Sequence, residues 1–251
     1  LGGAIKHNKY DPVKVDPWMD DWIIYPIDGY GNHEIIRSVL QKEKPDVLWF
    51  MTDPRFYEWL WEIENEVRAK IPMIYYHVWD NYPFPMYNGR FYRSTDEIVC
   101  ISKVTHDIVQ NVAPDVSSKY HPHAVNPSQF YKYKTEEMYT QCDLLRQKLT
   151  DATHEDLRNP KKKIFMWNSR NARRKQSGTL VWWFKEFLDE VGHDQAQLIM
   201  HTDPRDPHGQ DLPHIIEHLG VNTGQILLST SKVSPEDLAT MYNVADFTIG
   251  I

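Results

Sequence analysis

Short apolar runs alternate along the chain with stretches in which apolar residues recur every three or four positions. The apolar runs predict strands and the recurring patterns predict amphipathic helices. In the first half, strands are predicted at residues 47–51, 73–76 and 97–101. Helices are predicted at residues 33–44 and 55–70 and after Ser102. Asn32 and Ser102 are typical N-cap residues, and Pro45 ends the first helix.

The second half repeats this alternation. Strands are predicted at residues 164–167, 197–200, 225–228 and 247–251. Helices are predicted from about Thr179 to Val191, at residues 212–219 and from Pro235 onward. Residues 1–32 predict irregular structure with one or two weak strands. Residues 135–149 are helical by composition, and residues 150–163 have the composition of a connector.

Strands that are apolar throughout, each followed by a helix, are typical of parallel sheets covered on both faces. A break between about Asn126 and Lys163 separates the two series. We therefore predict an α/β protein with two Rossmann-like, doubly wound domains. The predicted domains are residues 1–130 and 164–251, joined by a connector and linking helix at 131–163. Both domains look truncated, and we expect the sequence to be a fragment of a longer protein.

Polar residues follow the predicted strands at their carboxyl ends, where ligands bind in open α/β sheets. They include Asp53, His77, Asp80, Ser102 and residues 168–175 and 201–203. These ends are more polar than connecting turns require, which indicates a ligand-binding role.

The segment at residues 164–178 carries the clearest chemical signal. An apolar run passes into a loop with four cations, and a helical pattern follows. A helix N-terminus presents free N–H groups and a positive dipole end, so it attracts phosphate. Adding Arg170, Arg173, Arg174 and Lys175 there makes a site for a phosphate or diphosphate. A solvated basic loop in front of a surface helix explains the same charges.

Composition narrows the class of protein. The 251 residues carry a net charge of −7, with 41% hydrophobic and 25% charged residues. This is ordinary for a globular protein, and the negative balance argues against a nucleic-acid binder. The nine Trp and fourteen Tyr are a high aromatic content, which suits core packing or stacking on sugars and bases.

Cys100 and Cys142 are the two cysteines of the sequence, so it has no disulfide framework and no cysteine metal cluster. This fits a reducing compartment, and we expect the cytoplasm. No apolar run approaches the ~20 residues that span a membrane. No signal peptide is recognisable, although the chain begins abruptly at Leu1.

Four segments together resemble the retaining glycosyltransferases of the GT-B fold, in family 4 (glycosyl transferases group 1). Arg170 and Lys175 have the spacing of the family's Arg and Lys between a strand and a helix. Residues 95–103 (TDEIVCISK) resemble its ADxVIxxS segment, and residues 121–130 (HPHAVNPSQF) its xxPNGVDxxxF segment. The pieces VSPEDL (233–238) and MYNVAD (241–246) resemble VxxxELxxLYxxAD.

The resemblance implies a hexosyltransferase-like enzyme that moves a sugar from a nucleotide-diphosphate sugar to a hydroxyl of a carbohydrate, lipid or protein acceptor. Arg170 and Lys175 would hold the donor diphosphate, in the C-terminal, donor-side domain. His77 would contact the transferred sugar near the anomeric centre, with Asp80 beside it in a catalytic role. Asn81, Asn168, Ser169 and His201 are further candidate contacts of donor or acceptor. For His77, a polar loop position is the alternative explanation.

Several positions depart from the family pattern. Ser169 and Gln176 replace glycines beside the Arg and the Lys, and Ala124 replaces the glycine of NGVD. The family's Glu-x7-Glu segment would lie beyond Ile251, and its first glycine-rich loop is missing or reduced to Gly2 and Gly3. Because these family segments are missing, an inactive fragment is one of the outcomes that we expect.

No Asp-x-Asp triplet occurs, so we expect no metal and no cofactor: protein cations would stabilise the leaving nucleoside diphosphate. Two other classes fit the same residues. One is a GT-B epimerase or phosphorylase, and the other is a non-catalytic binding or scaffold protein that keeps the fold.

Overall fold

The structure is a computed structural model that describes residues 2–3, 12–15, 19–136, 140–145 and 162–250. Its contacts divide the chain into two compact units, Leu1–Ala124 (unit 1) and Val125–Ile251 (unit 2). The domain boundaries drawn from the sequence, at residues 130 and 163, stay a prediction.

The strands of unit 1 are β1 Gly2–Gly3, β2 Val13–Val15, β3 Met19–Ile24, β4 Pro26–Ile27, β5 Leu48–Met51, β6 Met73–His77, β7 Glu97–Cys100 and β8 Ser118–Tyr120. Its helices are α1 His33–Glu43, α2 Glu58–Glu62, α3 Glu64–Arg68, α4 Gly89–Arg93 and α5 Lys103–Val112, with 3-10 turns at Pro54–Phe56 and Met86–Asn88.

The strands of unit 2 are β9 Lys163–Asn168, β10 Ala196–His201, β11 Ile226–Ser229 and β12 Phe247–Thr248. Its helices are α6 Ser177–Val191, α7 Leu212–His218 and α8 Pro235–Val244, with a 3-10 turn at Arg173–Lys175. Residues 140–145 are also helical.

The main sheet of unit 1 has the order β5-β6-β7-β8, and every neighbouring pair is parallel. One face carries the core, in which Tyr75, Ile98 and Ile108 are fully buried. Two small strand pairs, β1–β4 and β2–β3, complete the strands described for this unit.

The other face of this sheet is less covered than the sequence predicts. We expected residues 47–51 to form a buried strand, but Trp49 and Met51 of β5 are exposed and only Phe50 is buried. Both side chains lie on the face opposite the core, where His123 stacks on the buried Tyr76 of β6, whereas β5 at the edge of the sheet stays exposed.

The sheet of unit 2 is covered on both faces, as predicted for a doubly wound domain. Its order is β11-β10-β9-β12, all parallel. Trp167 and Leu198 point to one core with helices α6 and α7, while Met166 and Ile199 point to a second core with α8. Successive strand residues therefore feed opposite cores, which explains why these strands are apolar without alternation.

Most element boundaries follow their local signals. Asn32 caps α1 by accepting a hydrogen bond from the Ile35 amide at 2.9 Å, and Ser102 caps α5 through the Thr105 amide at 3.0 Å. The α/β class with parallel strands is confirmed.

Three predictions of detail were wrong or incomplete. The helix expected at residues 55–70 is a 3-10 turn followed by α2 and α3, broken at Ile63 (φ −110°, ψ 18°). Leu60 and Val67 stay buried on either side of the break, so the apolar spacing does not reveal it. Strand β8 was missed because its residues are mostly polar and exposed.

Helix α4 was also missed, inside what the sequence presents as a loop rich in Pro and Tyr. The helix and connector predicted at residues 135–163 lie largely outside the described residues. Within the described part of the chain, no helix combines the length and the apolar character that a membrane span requires.

We expect Leu198→Ala to lower the free energy of unfolding by about 3 kcal/mol, because it empties a fully buried site between α6 and the sheet. Leu144→Ala, at an exposed leucine of the same unit, is the matched control and should change it by less than about 0.5 kcal/mol. Urea denaturation measures both, and equal effects would contradict the assigned core.

Candidate functional site

The basic loop of unit 2 starts where the order of strands in its sheet reverses. Successive strands β9, β10 and β11 run to one side, whereas β12 pairs with β9 on the other side. Such a switch point leaves a crevice beyond the carboxyl ends of the two strands on either side of it, here β9 and β12, where α/β proteins bind ligands. Asn168 ends β9 there, and residues 169–176 form the loop that connects it to α6.

Arg170 is exposed in this loop and is held by the facing loop at residues 203–211, which follows β10. Its Nε donates to Asp206 Oδ2 at 2.6 Å and its Nη2 donates to Asp206 Oδ1 at 3.1 Å. Nη2 also donates to His208 Nδ1 at 3.1 Å. The Arg170 guanidinium and the His208 amide hold the pKa of Asp206 well below its usual range, and the Asp206 carboxylate raises the pKa of Arg170.

The two loops are locked together by the buried side chain of Asn171. Its Nδ2 donates to the Gln210 carbonyl at 2.7 Å, and its Oδ1 accepts from the Ser177 hydroxyl at 2.6 Å and the Gln210 amide at 3.1 Å. Gly209 packs directly beneath it: an added Cβ would lie 2.0 Å from the Asn171 carbonyl oxygen. The lock therefore fixes the backbone on which the loop cations are carried.

Gln210 also caps helix α6 from the facing loop. Its Oε1 accepts from the Gly178 amide at 2.7 Å, which supplies a partner to one of the N–H groups that a helix N-terminus leaves open. A Cβ at Gly178 would come within 2.8 Å of both Gln210 and Ile215. The close approach of the two loops thus requires glycine at both 178 and 209.

Lys175 lies in the 3-10 turn before α6 and is half-buried. The next residue, Gln176, adopts a left-handed conformation (φ 51°, ψ 33°). This is the position at which the resembling family often has glycine, and the backbone geometry supplies the physical reason. Arg173 and Arg174 of the same turn are exposed.

The remaining candidates of unit 2 lie at the same edge of the sheet. Asn168 and His201 are register partners on β9 and β10. Asn168 Nδ2 donates to the Tyr242 hydroxyl at 3.0 Å, and His201 Nδ1 lies 2.9 Å from the Ser229 hydroxyl. Ser169 follows Asn168 and is half-buried. The structure therefore gathers Asn168, Ser169, Arg170, Lys175 and His201 around one edge.

Unit 1 has a cleft of about 620 Å³ at the carboxyl ends of β5 and β6. Mostly polar and aromatic residues from three segments line it: Thr52, Asp53, Arg55, His77, Val78, Trp79, Asp80, Asn81, Tyr82, Pro83, Phe84 and Tyr87. Three candidates from the sequence, His77, Asp80 and Asn81, are therefore brought together in this cleft. Asp80 and Asn81 are exposed.

His77 borders the cleft but is completely buried. It is the last residue of β6 rather than part of the following loop, and its Nε2 lies 2.7 Å from the Tyr92 hydroxyl. Burial lowers the pKa of His77 to about 3, against the weaker attraction of the Asp53 carboxylate, so the imidazole is neutral. Its Nδ1 is buried and has no hydrogen-bond partner among the described residues.

The sequence did not single out three residues that the site depends on. Asp206, His208 and Gln210 lie in the loop after β10, of which only residues 201–203 were noted as polar. The Pro- and Gly-containing polar run at 203–211 was the available signal, because it follows a buried strand at the same sheet edge. Arg55, which pairs with Asp53 in the unit 1 cleft, was missed as well.

No protein-family model matches the sequence, and no curated protein matches it. Solved structures do resemble the fold. An α,α-trehalose 6-phosphate synthase from Burkholderia multivorans has a TM-score of 0.61 at 13% identity over 85% of this chain and 53% of its own.

Two ligand-bound structures are similar to the same degree. One is a UDP-forming trehalose-phosphate synthase from Burkholderia xenovorans in complex with glucose-6-phosphate, with a TM-score of 0.59 at 12% identity over 85% of this chain and 55% of its own. The other is a trehalose-6-phosphate synthase structure from E. coli bound with UDP-2-fluoro glucose, with a TM-score of 0.58 at 10% identity over 85% and 54%.

This likeness shows the fold: the chain has the α/β architecture with parallel, Rossmann-like sheets of these GT-B proteins. The chain spans about half the length of the structures it matches. At 10–13% identity the likeness carries no residue roles over to this chain.

We expect Gln176→Gly to raise the free energy of unfolding by about 0.5–1 kcal/mol, because glycine adopts the left-handed conformation without the Cβ clash. Both variants lose the hydrogen bond that Gln176 accepts from the Thr179 hydroxyl, but Gln176→Ala keeps the Cβ and its clash, so it should not stabilise. Urea denaturation compares the two variants. A stabilising alanine, or equal effects, would contradict a strained backbone at this position.

Proposed function

We propose that this protein is a glycosyltransferase that moves a sugar from a nucleotide-diphosphate sugar to an acceptor hydroxyl, with retention and with protein cations rather than a metal ion at the diphosphate. The observation that carries the proposal is the position of the basic loop. Its cations stand directly after β9, beside the switch point of the unit 2 sheet and before the N-terminus of α6.

Arg170 and Lys175 supply the donor-binding charges in this proposal. When the sugar leaves, negative charge develops on the nucleoside diphosphate, and cations fixed beforehand stabilise it without reorganisation. Asp206 orients the Arg170 guanidinium by holding its Nε and Nη2. Nη1 has no hydrogen-bond partner among the described residues and is the edge that a phosphate oxygen would take.

The lock between the loops makes this charge arrangement rigid. A cation on a free loop has to be ordered when the ligand binds, and that ordering reduces affinity. Asn171 and Gln210 order the backbone in advance. Asn168, Ser169 and His201 line the same edge and are proposed as further donor contacts.

The cleft of unit 1 is proposed to take the acceptor. Asp80 and Asn81 are exposed there and can accept and donate hydrogen bonds to sugar hydroxyls. The proposal keeps His77 at the transferred sugar, but its ring has no exposed surface, so contact requires the cleft wall to rearrange.

Two of the structural neighbours support particular parts of this proposal. One solved neighbour is a UDP-forming trehalose-phosphate synthase, and another is a trehalose-6-phosphate synthase that carries out glycosyltransfer with retention. UDP and UDP-glucose are therefore the first donors to test. The assignment to family 4 in particular goes beyond the fold and is carried by the four sequence motifs alone.

Calorimetry tests the donor site. We expect one of UDP, GDP and ADP to bind the protein, and to bind much more tightly than the matching monophosphate, because the diphosphate bridges two cations. Lys175→Ala should weaken that binding by about tenfold or more, the scale of one charge-assisted hydrogen bond.

Lys185→Ala is the matched control, since Lys185 is a cation of α6 paired with Asp189 away from the loop. It should leave nucleotide binding unchanged. Binding of no nucleotide, or unchanged affinity in Lys175→Ala, would remove the diphosphate role. A non-catalytic scaffold protein with this fold predicts that outcome.

A further inference from the structure

The charged side chains of the unit 1 cleft are of mostly one sign. Two carboxylates, Asp53 and Asp80, and one guanidinium, Arg55, line it, which gives a formal charge of −1 with His77 neutral. A cleft that receives a doubly negative phosphate group would be expected to carry an excess of cations.

The single cation is already engaged. Arg55 Nε donates to Asp53 Oδ1 at 2.9 Å, and its Nη2 donates to Oδ2 at 2.7 Å. The paired guanidinium lowers the pKa of Asp53, so this carboxylate stays ionised beside it. A phosphate approaching Arg55 would therefore have to share it with a fixed carboxylate.

Asp80 is different, because it is exposed. An exposed carboxylate repels a phosphate but accepts hydrogen bonds from two sugar hydroxyls at once. Asn81 beside it adds one amide donor pair and one acceptor, which suits a ligand with many hydroxyl groups and no charge.

Aromatic rings form the rim of the cleft. Trp79 and Tyr87 stand edge to face with their centroids 6.2 Å apart, and Tyr82 and Phe84 do the same at 5.4 Å. Tyr82 and Tyr87 are exposed. Exposed rings beside polar groups give a pyranose an apolar face to pack on while its hydroxyls reach hydrogen-bond partners.

An independent observation points to an occupant. His77 borders the cleft as a fully buried residue, and its Nδ1 atom has no partner among the described residues. Buried polar atoms are nearly always satisfied, so this atom calls for a partner: a water, or a ligand hydroxyl that reaches it when the cleft wall rearranges.

We propose that the acceptor bound in this cleft is an uncharged saccharide rather than a sugar phosphate. This inference rests on the proposed function and adds the class of its acceptor. It separates this protein from the structural neighbour that is complexed with glucose-6-phosphate, and it assigns Asp80 as the residue that excludes phosphorylated sugars.

A glycan array of matched neutral and phosphorylated mono- and oligosaccharides, probed with the labelled protein, tests the class of acceptor. We expect the bound glycans to be uncharged, and calorimetry with the best of them to give at least about tenfold tighter binding than its 6-phosphate form. Equal or tighter binding of the phosphate form, or binding of no glycan, would overturn the inference.

A charge-reversal pair sharpens the test. Asp80→Lys should weaken the neutral ligand and bring the affinity for its 6-phosphate form up by about tenfold or more. Asp107→Lys makes the same charge change on the exposed side of α5, outside the cleft, and should leave the preference unchanged. The same gain in both variants would mean that net charge rather than the cleft decides.

The acceptor and donor proposals fail separately. If nucleoside diphosphates bind and no saccharide does, the cleft assignment is wrong and the donor site stands. If saccharides bind with the expected preference and no nucleotide does, the cleft is a saccharide site and the transferase proposal is lost.

Discussion

The hydrogen bonds of Asn171 are the constraint on which the candidate donor site depends. Loops beyond the end of a parallel sheet have no strand partner, so side chains must satisfy their backbone groups and hold their positions. One buried amide joins the loop after β9, the loop after β10 and the start of α6. The absence of a Cβ at Gly178 and Gly209 lets these segments approach, and the position of Arg170 follows from that contact.

The same edge also shows why Arg170 can be both paired and useful. A bidentate carboxylate holds one edge of the guanidinium in a fixed direction, and a planar group with five donors still has another edge to offer. Asp206 therefore offsets part of the positive charge of Arg170 and in return fixes the orientation of its guanidinium. In the unit 1 cleft, Asp53 pairs with Arg55 in the same way, but the exposed Asp80 leaves the cleft with a net negative charge. The two units thus present opposite local charge at the carboxyl ends of their strands, which suits an anionic donor on one and a neutral polyol on the other.

The sequence predicted the strands β5 to β7 and β9 to β12, the parallel class and most helices, because apolar strands and amphipathic helices leave recognisable apolar patterns. The prediction failed where the same apolar pattern fits more than one backbone geometry, or where a strand has no apolar pattern at all. The break at Ile63 keeps Leu60 and Val67 in place, and the polar β8 has no apolar run to show. At the site, Arg170 and Lys175 were visible from charge and spacing. Asp206 and Gln210 were not, because their role arises from a contact across more than 30 residues that spacing does not encode. The burial of His77 was hidden for a related reason: Tyr92 covers it from α4, a helix absent from the prediction.

The most direct measurement is a crystal structure of the protein with the nucleoside diphosphate that it binds. The account predicts phosphate oxygens within hydrogen-bond distance of Arg170 Nη1 and Lys175 Nζ, beside the Asn171 lock and before the first turn of α6. A diphosphate bound elsewhere, with Arg170 still held by Asp206 and its other edge in solvent, would contradict it.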